Sequence, residues 1–393
     1  GKVMILRKIT FPLVLPAMLS AVILTFSKAI GTFGVINYLG NPVNFVTLSS
    51  QLYMNNKSQN TETAFAMALI LICIASISVF MNQKLIGSRK SYATIGGKGG
   101  RSTEIRLGAH KPVITIVLFI FFVVGIMMPI LLLILESFML REGSYSLSNF
   151  TLHYWIGDPD PTIMEGLPGI FKNDDFINAL INSIKLTFVT GIFGTIFGQI
   201  IGYICAKGRG KLYGKIVEQL VFIPYLIPSV AFGGIFLSMF STPQTIFGVT
   251  IIPSLYGTFA LISLTSVVKH LPFASRAGTS NMLQIGGELE EAASIAGAGF
   301  FKRFARIVFP LSKGGFISGF MLIFVSIMKE LDLIILIMTP KTTTLPYLAF
   351  QYSNGNSPQA SDCVAIVMFS IVFLVYAIAN IFGDADLAKS MGG

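Results

Sequence analysis

Polar and apolar positions along the chain separate into long apolar runs and shorter polar intervals, with little of the 3.6-residue alternation of a surface helix. A run of about 20 apolar residues matches a hydrocarbon core about 30 Å thick at about 1.5 Å rise per helical residue. On that rule the pattern predicts eight membrane-spanning helices, at residues 13–38, 64–81, 113–138, 176–206, 216–239, 254–268, 314–338 and 360–382. The expected fold class is all-α, a polytopic transmembrane helical protein. Residues 82–112 are rich in Gly, Ser, Lys and Arg and lack an apolar period, which reads as a cytoplasmic linker between two halves, 1–81 and 113–393. Residues 140–175, which hold the only Trp, Trp155, read as an outer loop with a short interfacial helix.

Composition agrees with the pattern. The chain is 53% hydrophobic and 12% charged, with a mean hydropathy of +0.75, outside the range of soluble domains. Its formal charge of +10 is spread among short loops, which argues for membrane topology and against nucleic acid. Segments 1–12, 82–112, 207–215, 269–313 and 383–393 hold 21 of the 28 Lys and Arg, whereas the outer loops hold only Lys57, Arg141, Lys172 and Lys341. This asymmetry places the linker and the loop 270–312 in the cytoplasm. Cys73, Cys205 and Cys363 lie far apart within expected spans and offer neither a disulfide framework nor a metal spacing. His110, His153 and His270 are equally scattered, and no catalytic Ser/His/Asp or Cys/His set appears. Gly96-Gly97-Lys98-Gly99 fails as a phosphate loop, because Tyr92 and Gly99 stand where Gly and Ser or Thr are required. A nucleotide-hydrolysing site would have to belong to another chain.

One polar, amphipathic stretch interrupts the second half. Glu288, Glu290 and Glu291 open a helical pattern, suited to the positive end of a helix dipole, and Ala292 and Ala293 leave a small packing face. Gly297 and Gly299 end it, Lys302, Arg303 and Arg306 follow, and Pro310 is expected where the next span begins. The spacing Glu291-Ala292-Ala293, then Gly297, then Ile307 and Phe309-Pro310 resembles the Glu-Ala-Ala loop of binding-protein-dependent ABC importer permeases, with Phe309 in place of Leu.

That resemblance implies a type I importer permease fold in a bacterial cytoplasmic (inner) membrane. It implies that residues 288–297 form a coupling helix docking on a separate ATPase, with Glu288, Glu291, Ala292, Ala293, Gly297, Ile307 and Pro310 as coupling residues. The implied partners are two cytoplasmic ATPase subunits, which carry ATP and Mg, an extracytoplasmic solute-binding protein and membrane lipid. The chain itself would bind no cofactor and no metal and would not be an enzyme.

Sliding the chain by 298 positions aligns Lys8-Ile9-Thr10-Phe11-Pro12-Leu13 with Arg306-Ile307-Val308-Phe309-Pro310-Leu311, and Pro42 with Pro340, an internal repeat. In that register the first copy of the Glu-Ala-Ala pattern falls upstream of Gly1, so the chain is expected to be the C-terminal part of a longer two-repeat permease that cannot transport alone.

Lys329, Glu330 and Asp332 fall inside the expected span 314–338, where ionisable groups are costly unless they face protein or water. They read either as part of a translocation path or as a structural pair, Lys329 with Asp332, on one helix face. Lys28 aligns with Ser326 and is expected to face the same path, whereas Lys185 reads as an interfacial lysine. Gly31, Gly34, Gly191, Gly194, Gly198 and Gly202 read as helix-packing sites.

Met328-Lys329-Glu330-Leu331 resembles the Met-Lys-Glu-Leu-Pro segment of ferric-iron importer permeases, which also fuse two repeats through a Gly-Lys-Gly-containing linker; Asp332 replaces the Pro. This resemblance makes ferric iron the expected cargo. A polyamine, a phosphonate or thiamine would use the same machinery, and an ion-coupled secondary transporter would use the charged trio without explaining the loop.

Overall fold

Three helices in this protein begin at a side-chain cap, and several apolar runs break near proline or glycine. The computed structural model describes residues 4, 7–8, 11–40, 43–87, 108–163, 166–283, 285, 287–355 and 357–382. In chain order the main elements are α1 (Phe11–Ile30), α2 (Gly34–Gly40), α3 (Leu48–Lys57), α4 (Thr61–Gly87), α5 (Lys111–Glu136), α6 (Asp174–Lys207), α7 (Leu212–Leu226) and α8 (Ser229–Phe240). A hairpin of β1 (Gln244–Ile246) and β2 (Val249–Ile252) follows, then α9 (Phe259–Met282), α10 (Gly287–Ile295), α11 (Phe300–Leu311), α12 (Lys313–Met328), α13 (Leu345–Asn354) and α14 (Pro358–Phe382). Most of the expected linker, residues 88–107 with the Gly96–Gly99 stretch, and the C-terminal residues 383–393 lie outside the described residues.

Caps set the register of the long helices. Asn173 accepts the Asp175 N–H at 2.9 Å at the start of α6, whose first turn carries Asp174 and Asp175. Thr47 and Thr258 cap α3 and α9 in the same way. The hairpin is a local exception to the all-helical pattern. Phe247 and Gly248 both have positive φ, 51° and 80°, the geometry of a tight two-residue turn between twisted strands.

Among the described residues four helices, in α4, α5, α6 and α14, are long and apolar enough to cross a membrane, and three bent pairs raise the number to seven. α9 has 24 residues, enough for about 36 Å, but carries Lys269, His270 and Arg276. α5 buries no side chain and turns Phe119 and Phe121 outward, as a lipid-facing helix does.

Four expected spans differ from the observed helices. The span 13–38 breaks after Ile30, with α1 and α2 at 65°. The span 216–239 bends by 101° between α7 and α8, where Pro228 cannot donate a backbone N–H. The span 254–268 is displaced to α9, which runs through Pro272 to Met282, so residues 270–282 of the expected loop are helical and continuous with it. The span 314–338 ends at Met328, leaving Lys329, Glu330 and Asp332 off the helix. Pro310 lies on α11, ahead of a 75° bend at Ser312, and not at the start of the span.

α6 is the axis of packing. At Gly202 a Cβ would stand 2.5 Å from the Gly278 carbonyl carbon, so α6 and α9 touch backbone to backbone. A buried cluster of Leu186, Leu261, Ile262, Ala274, Ile323 and Ile327 joins α6, α9 and α12. A second, around Phe33, Leu52, Leu71, Val230 and Ile335, ties the first half to the second. Within 140–175, the stretch expected to be an outer loop, Trp155 stacks on Phe138 at 5.7 Å and packs on Phe171 at 5.8 Å, giving it its own apolar centre, and His153–Ile156 forms a short helix.

Candidate functional site

Broken helices leave unpaired backbone groups, and in this protein charged side chains answer them. The break between α7 and α8 leaves the Pro224 carbonyl without its helical donor, since the donor position is Pro228. The buried Lys269 ammonium supplies it, donating to the Pro224 carbonyl at 2.9 Å and to the Ile227 carbonyl, and lies 5.2 Å from the Phe232 ring centroid. The charge count assigned Lys269 to a cytoplasmic segment; its place in the middle of α9 reflects this local need and not membrane topology.

The break between α1 and α2 is met in the same manner from the other half. Asp332 accepts the Phe33 N–H at 3.0 Å and the Gly34 N–H at 2.9 Å, across 299 and 298 positions. The expected Lys329–Asp332 ion pair is therefore not formed: with α12 ended at Met328, the two residues no longer share a helix face, and the carboxylate turns to the open N–H groups instead. Glu330 closes its own turn by accepting the Leu333 N–H at 2.9 Å.

These groups surround one cavity of about 840 Å³. Lys28, Lys329, Glu330 and Asp332, the four candidate pathway residues, all line it, together with Lys269 and Asp362. The cavity is lined from the breaks at Ile227 and Lys329 to the C-terminal end of α13 at Ser353 and the start of α14 at Pro358. Among the described residues no carboxylate lies within ion-pair distance of Lys28 or Lys329. Lys185 is exposed on α6, apart from this cavity. Lys269 and Asp362 were not singled out from the sequence; Asp362 lies near the start of the expected span 360–382.

In the loop expected to be cytoplasmic, α10 ends in a cap that requires glycine. The Ala298 N–H reaches the Ala293 carbonyl at 2.9 Å and the Gly297 N–H reaches that of Ser294 at 3.0 Å, with Gly297 at φ +80°. Glu288, Glu291 and Ala292 are exposed, Ala293 and Ile307 are half-buried, and Pro310 is exposed on α11. Three large apolar side chains stand in the open beside them, Leu289 at 52%, Ile295 at 89% and Phe301 at 84% exposure.

The glutamate that points inward is Glu290. Its carboxylate takes the Lys207 ammonium at 2.8 Å on Oε1 and the Tyr203 hydroxyl at 2.6 Å on Oε2. Burial works to raise this carboxyl, but the hydrogen bonds from Lys207 and Tyr203 and the nearby charges of Lys207 and Arg303 together hold it below the usual carboxylate range. The spacing of Tyr203 and Lys207, four apart at the end of α6, puts them on one face, yet no local signal announces a partner 87 positions away. With the folded-state value lowered, the contribution to stability is full above the unfolded-state range near pH 4.3 and is lost as pH falls through the lower folded-state value. Acidification below about pH 4 is expected to loosen α10 selectively, read as faster amide exchange there than in α6; uniform exchange in both helices down to acid unfolding would contradict it.

Comparison with known proteins follows this geometry. The sequence profile of the family described as "Binding-protein-dependent transport system inner membrane component" matches residues 1–92 and 198–385. The ferric transport system permease protein FbpB of Actinobacillus pleuropneumoniae is 25% identical over 389 residues, covering 97% of this chain and 53% of that protein. The chain thus spans about half the length of the curated relatives it matches over its full extent. The molybdate/tungstate transport system permease protein WtpB of Thermococcus kodakarensis is 28% identical over 204 residues, 51% of this chain and 76% of that protein. Among solved structures, a chain of a bacterial ABC transporter involved in the import of the acidic polysaccharide alginate shares the fold, with a TM-score of 0.54 at 17% identity, covering 70% of this chain and 96% of that one.

Proposed function

The chain belongs to the family of binding-protein-dependent transport system inner membrane components, and from that premise we propose that it forms the translocating half of an ATP-driven importer whose cargo is ferric iron. It is a multi-pass protein of the cytoplasmic membrane. The observation that carries the importer reading is α10: a capped helix on the cytoplasmic side, with Glu288, Glu291 and Ala292 exposed and three apolar side chains unpartnered. A surface of that kind fits a protein partner, since isolated apolar exposure of this size on a cytoplasmic loop is otherwise unfavourable.

In this reading two ATPase subunits, holding ATP and Mg, close on the coupling helices and rock two repeats between inward and outward openings. Residues 1–81 are the C-terminal part of the first repeat and 113–393 the second repeat, joined by the linker 82–112. The cavity between the broken helices is the passage, with Lys28, Lys329, Glu330 and Asp332 on its wall, and an extracytoplasmic binding protein delivers the solute. Nucleotide hydrolysis belongs to the partner chains. Iron is cargo here, and its support is the extent of likeness: the ferric permease matches across 97% of the chain, the molybdate/tungstate permease across 51%.

The test is co-purification of the full-length permease with its ATPase, comparing Glu291→Arg and Gly297→Val with the native chain. Each is expected to reduce the retained ATPase at least tenfold while the permease stays inserted, Gly297→Val because a β-branched residue is strained at φ +80°. Native retention in both would remove the coupling assignment. Uptake of labelled molybdate but not ferric iron by the native complex would change the cargo and leave the importer in place.

A further inference from the structure

α6 touches both ends of the machinery that the importer reading requires. At its cytoplasmic end Lys207 and Tyr203 hold Glu290 of α10, and the Tyr203 ring meets Phe300 and Phe304 of α11 edge-on at 5.6 and 5.8 Å. One helical turn of α6 therefore grips both arms of the loop on either side of Gly297. Thirty-four residues make α6 about 51 Å long. At its outer end Asn182 donates to the Thr343 carbonyl at 3.0 Å and the Lys341 carbonyl at 3.1 Å, the Ser183 hydroxyl accepts the Leu345 N–H at 2.7 Å, and Asn173 donates to the Tyr352 hydroxyl at 3.1 Å. Those partners directly follow the broken segment that carries Lys329, Glu330 and Asp332.

Between its ends α6 is one continuous helix, and its Gly198 and Gly202 face the backbone of α9 at Ala274 and Gly278. A displacement of its last turn is carried along the whole helix, because packed interiors transmit strain and do not absorb it. Leu289 and Ile295 of α10 and Phe301 of α11 are exposed, and Phe309 of α11 meets Phe316 of α12 edge-on at 5.5 Å, so within the described residues the Glu290 clasp is the charged link from α10 to a spanning helix.

We propose that Glu290 is a positioning residue for transport: it makes α10 and α6 move as one body, so that ATPase closure at the loop reaches the outer wall of the cavity. The inference rests on the importer reading. The contact is charge-assisted on both carboxylate oxygens, at 2.8 and 2.6 Å, and two such bonds fix direction as well as distance. A clasp that transmits must persist through the cycle, which separates it from a gate, whose contacts break.

The experiment uses the full-length permease with its ATPase in proteoliposomes, reading ATP hydrolysed and solute taken up in the same vesicles. In Glu290→Ala and in Lys207→Glu, hydrolysis and retained ATPase are expected within twofold of native while uptake per ATP falls at least tenfold. Glu290→Lys combined with Lys207→Glu is expected to recover at least a third of native uptake per ATP, which a merely structural loss would not do. Native uptake per ATP in Glu290→Ala overturns the proposal. Where a variant fails to insert, Lys207→Cys with Glu290→Cys decides: cross-linking in membranes with and without ATP, with uptake retained after linking, supports the clasp, and cross-linking abolished by ATP overturns it. A native complex that hydrolyses ATP yet moves no solute would count against the importer, while the cross-link still reports on the clasp.

Discussion

Asp332→Ala is expected to destabilise the folded protein by about 2–3 kcal/mol and to loosen the chain locally around Phe33 and Gly34. The carboxylate answers two N–H groups, those of Phe33 and Gly34, that the break between α1 and α2 leaves open. Hydrogen bonds to a charged group contribute about 1.5–3 kcal/mol each when buried, and an orphaned donor costs about 1–3 kcal/mol. Asp332 is only half-buried and borders the cavity, so water can replace part of the interaction, which places the expected loss at the low end of that range. Asp332→Asn keeps an acceptor oxygen and loses the charge, and a smaller loss of about 1 kcal/mol is expected. The measurement is the unfolding midpoint in detergent, together with protease cleavage near Phe33. An Asp332→Ala protein within about 0.5 kcal/mol of native, with unchanged cleavage, would mean that the bridge is incidental.

Gly233→Val is expected to prevent recovery of folded protein. Gly233, the fifth residue of α8, is buried where an added Cβ would overlap the Leu333 carbonyl oxygen. That carbonyl cannot retreat easily. Glu330 fixes the Leu333 N–H, and Leu333 and Ile334 are fully buried against Phe232. Overpacking by a methylene or two costs about 1–3 kcal/mol when side chains can yield, and more when backbone must move. Gly233→Ala should therefore cost about 3 kcal/mol and Gly233→Val more. The neighbouring glycine supplies the control: at Gly234 the nearest atom to an added Cβ is a Leu336 methyl at 3.5 Å, so Gly234→Ala should be close to neutral. Fluorescence-detected size-exclusion profiles of the three variants would read this, and equal behaviour of Gly233→Ala and Gly234→Ala would contradict the close approach of α8 to the broken segment.

Both expectations concern places where a spanning run is interrupted, and there the sequence and the structure part company. Where a run of apolar residues is uninterrupted, as in α4, α5, α6 and α14, the observed helix matches the expected span to within a few residues at most ends, since length and apolarity alone decide that a segment crosses a bilayer. The end of α10 was legible for a similar reason. A Gly at the end of a short polar helix announces a left-handed cap, and Gly297 adopts it.

The breaks were not legible, because a window of about 20 residues sums hydropathy and is blind to backbone direction. Irregular backbone at membrane depth is tolerated when it is buried in protein, so the residues at a break are as apolar as those in a helix. Only the tertiary structure supplies the donors and acceptors that make a break affordable: Lys269 for the Pro224 carbonyl, and Asp332 for Phe33 and Gly34. The same holds for Glu290, one of three glutamates in four residues; neighbours in sequence did not mark it as the one that turns inward to Lys207 and Tyr203. By itself the sequence determined which segments enter the membrane and where the loop helix stops, because transfer free energy and local backbone conformation are properties of short stretches. Where those segments break, and which charges meet at the breaks, only the tertiary structure decided, because each such contact joins residues tens to hundreds of positions apart.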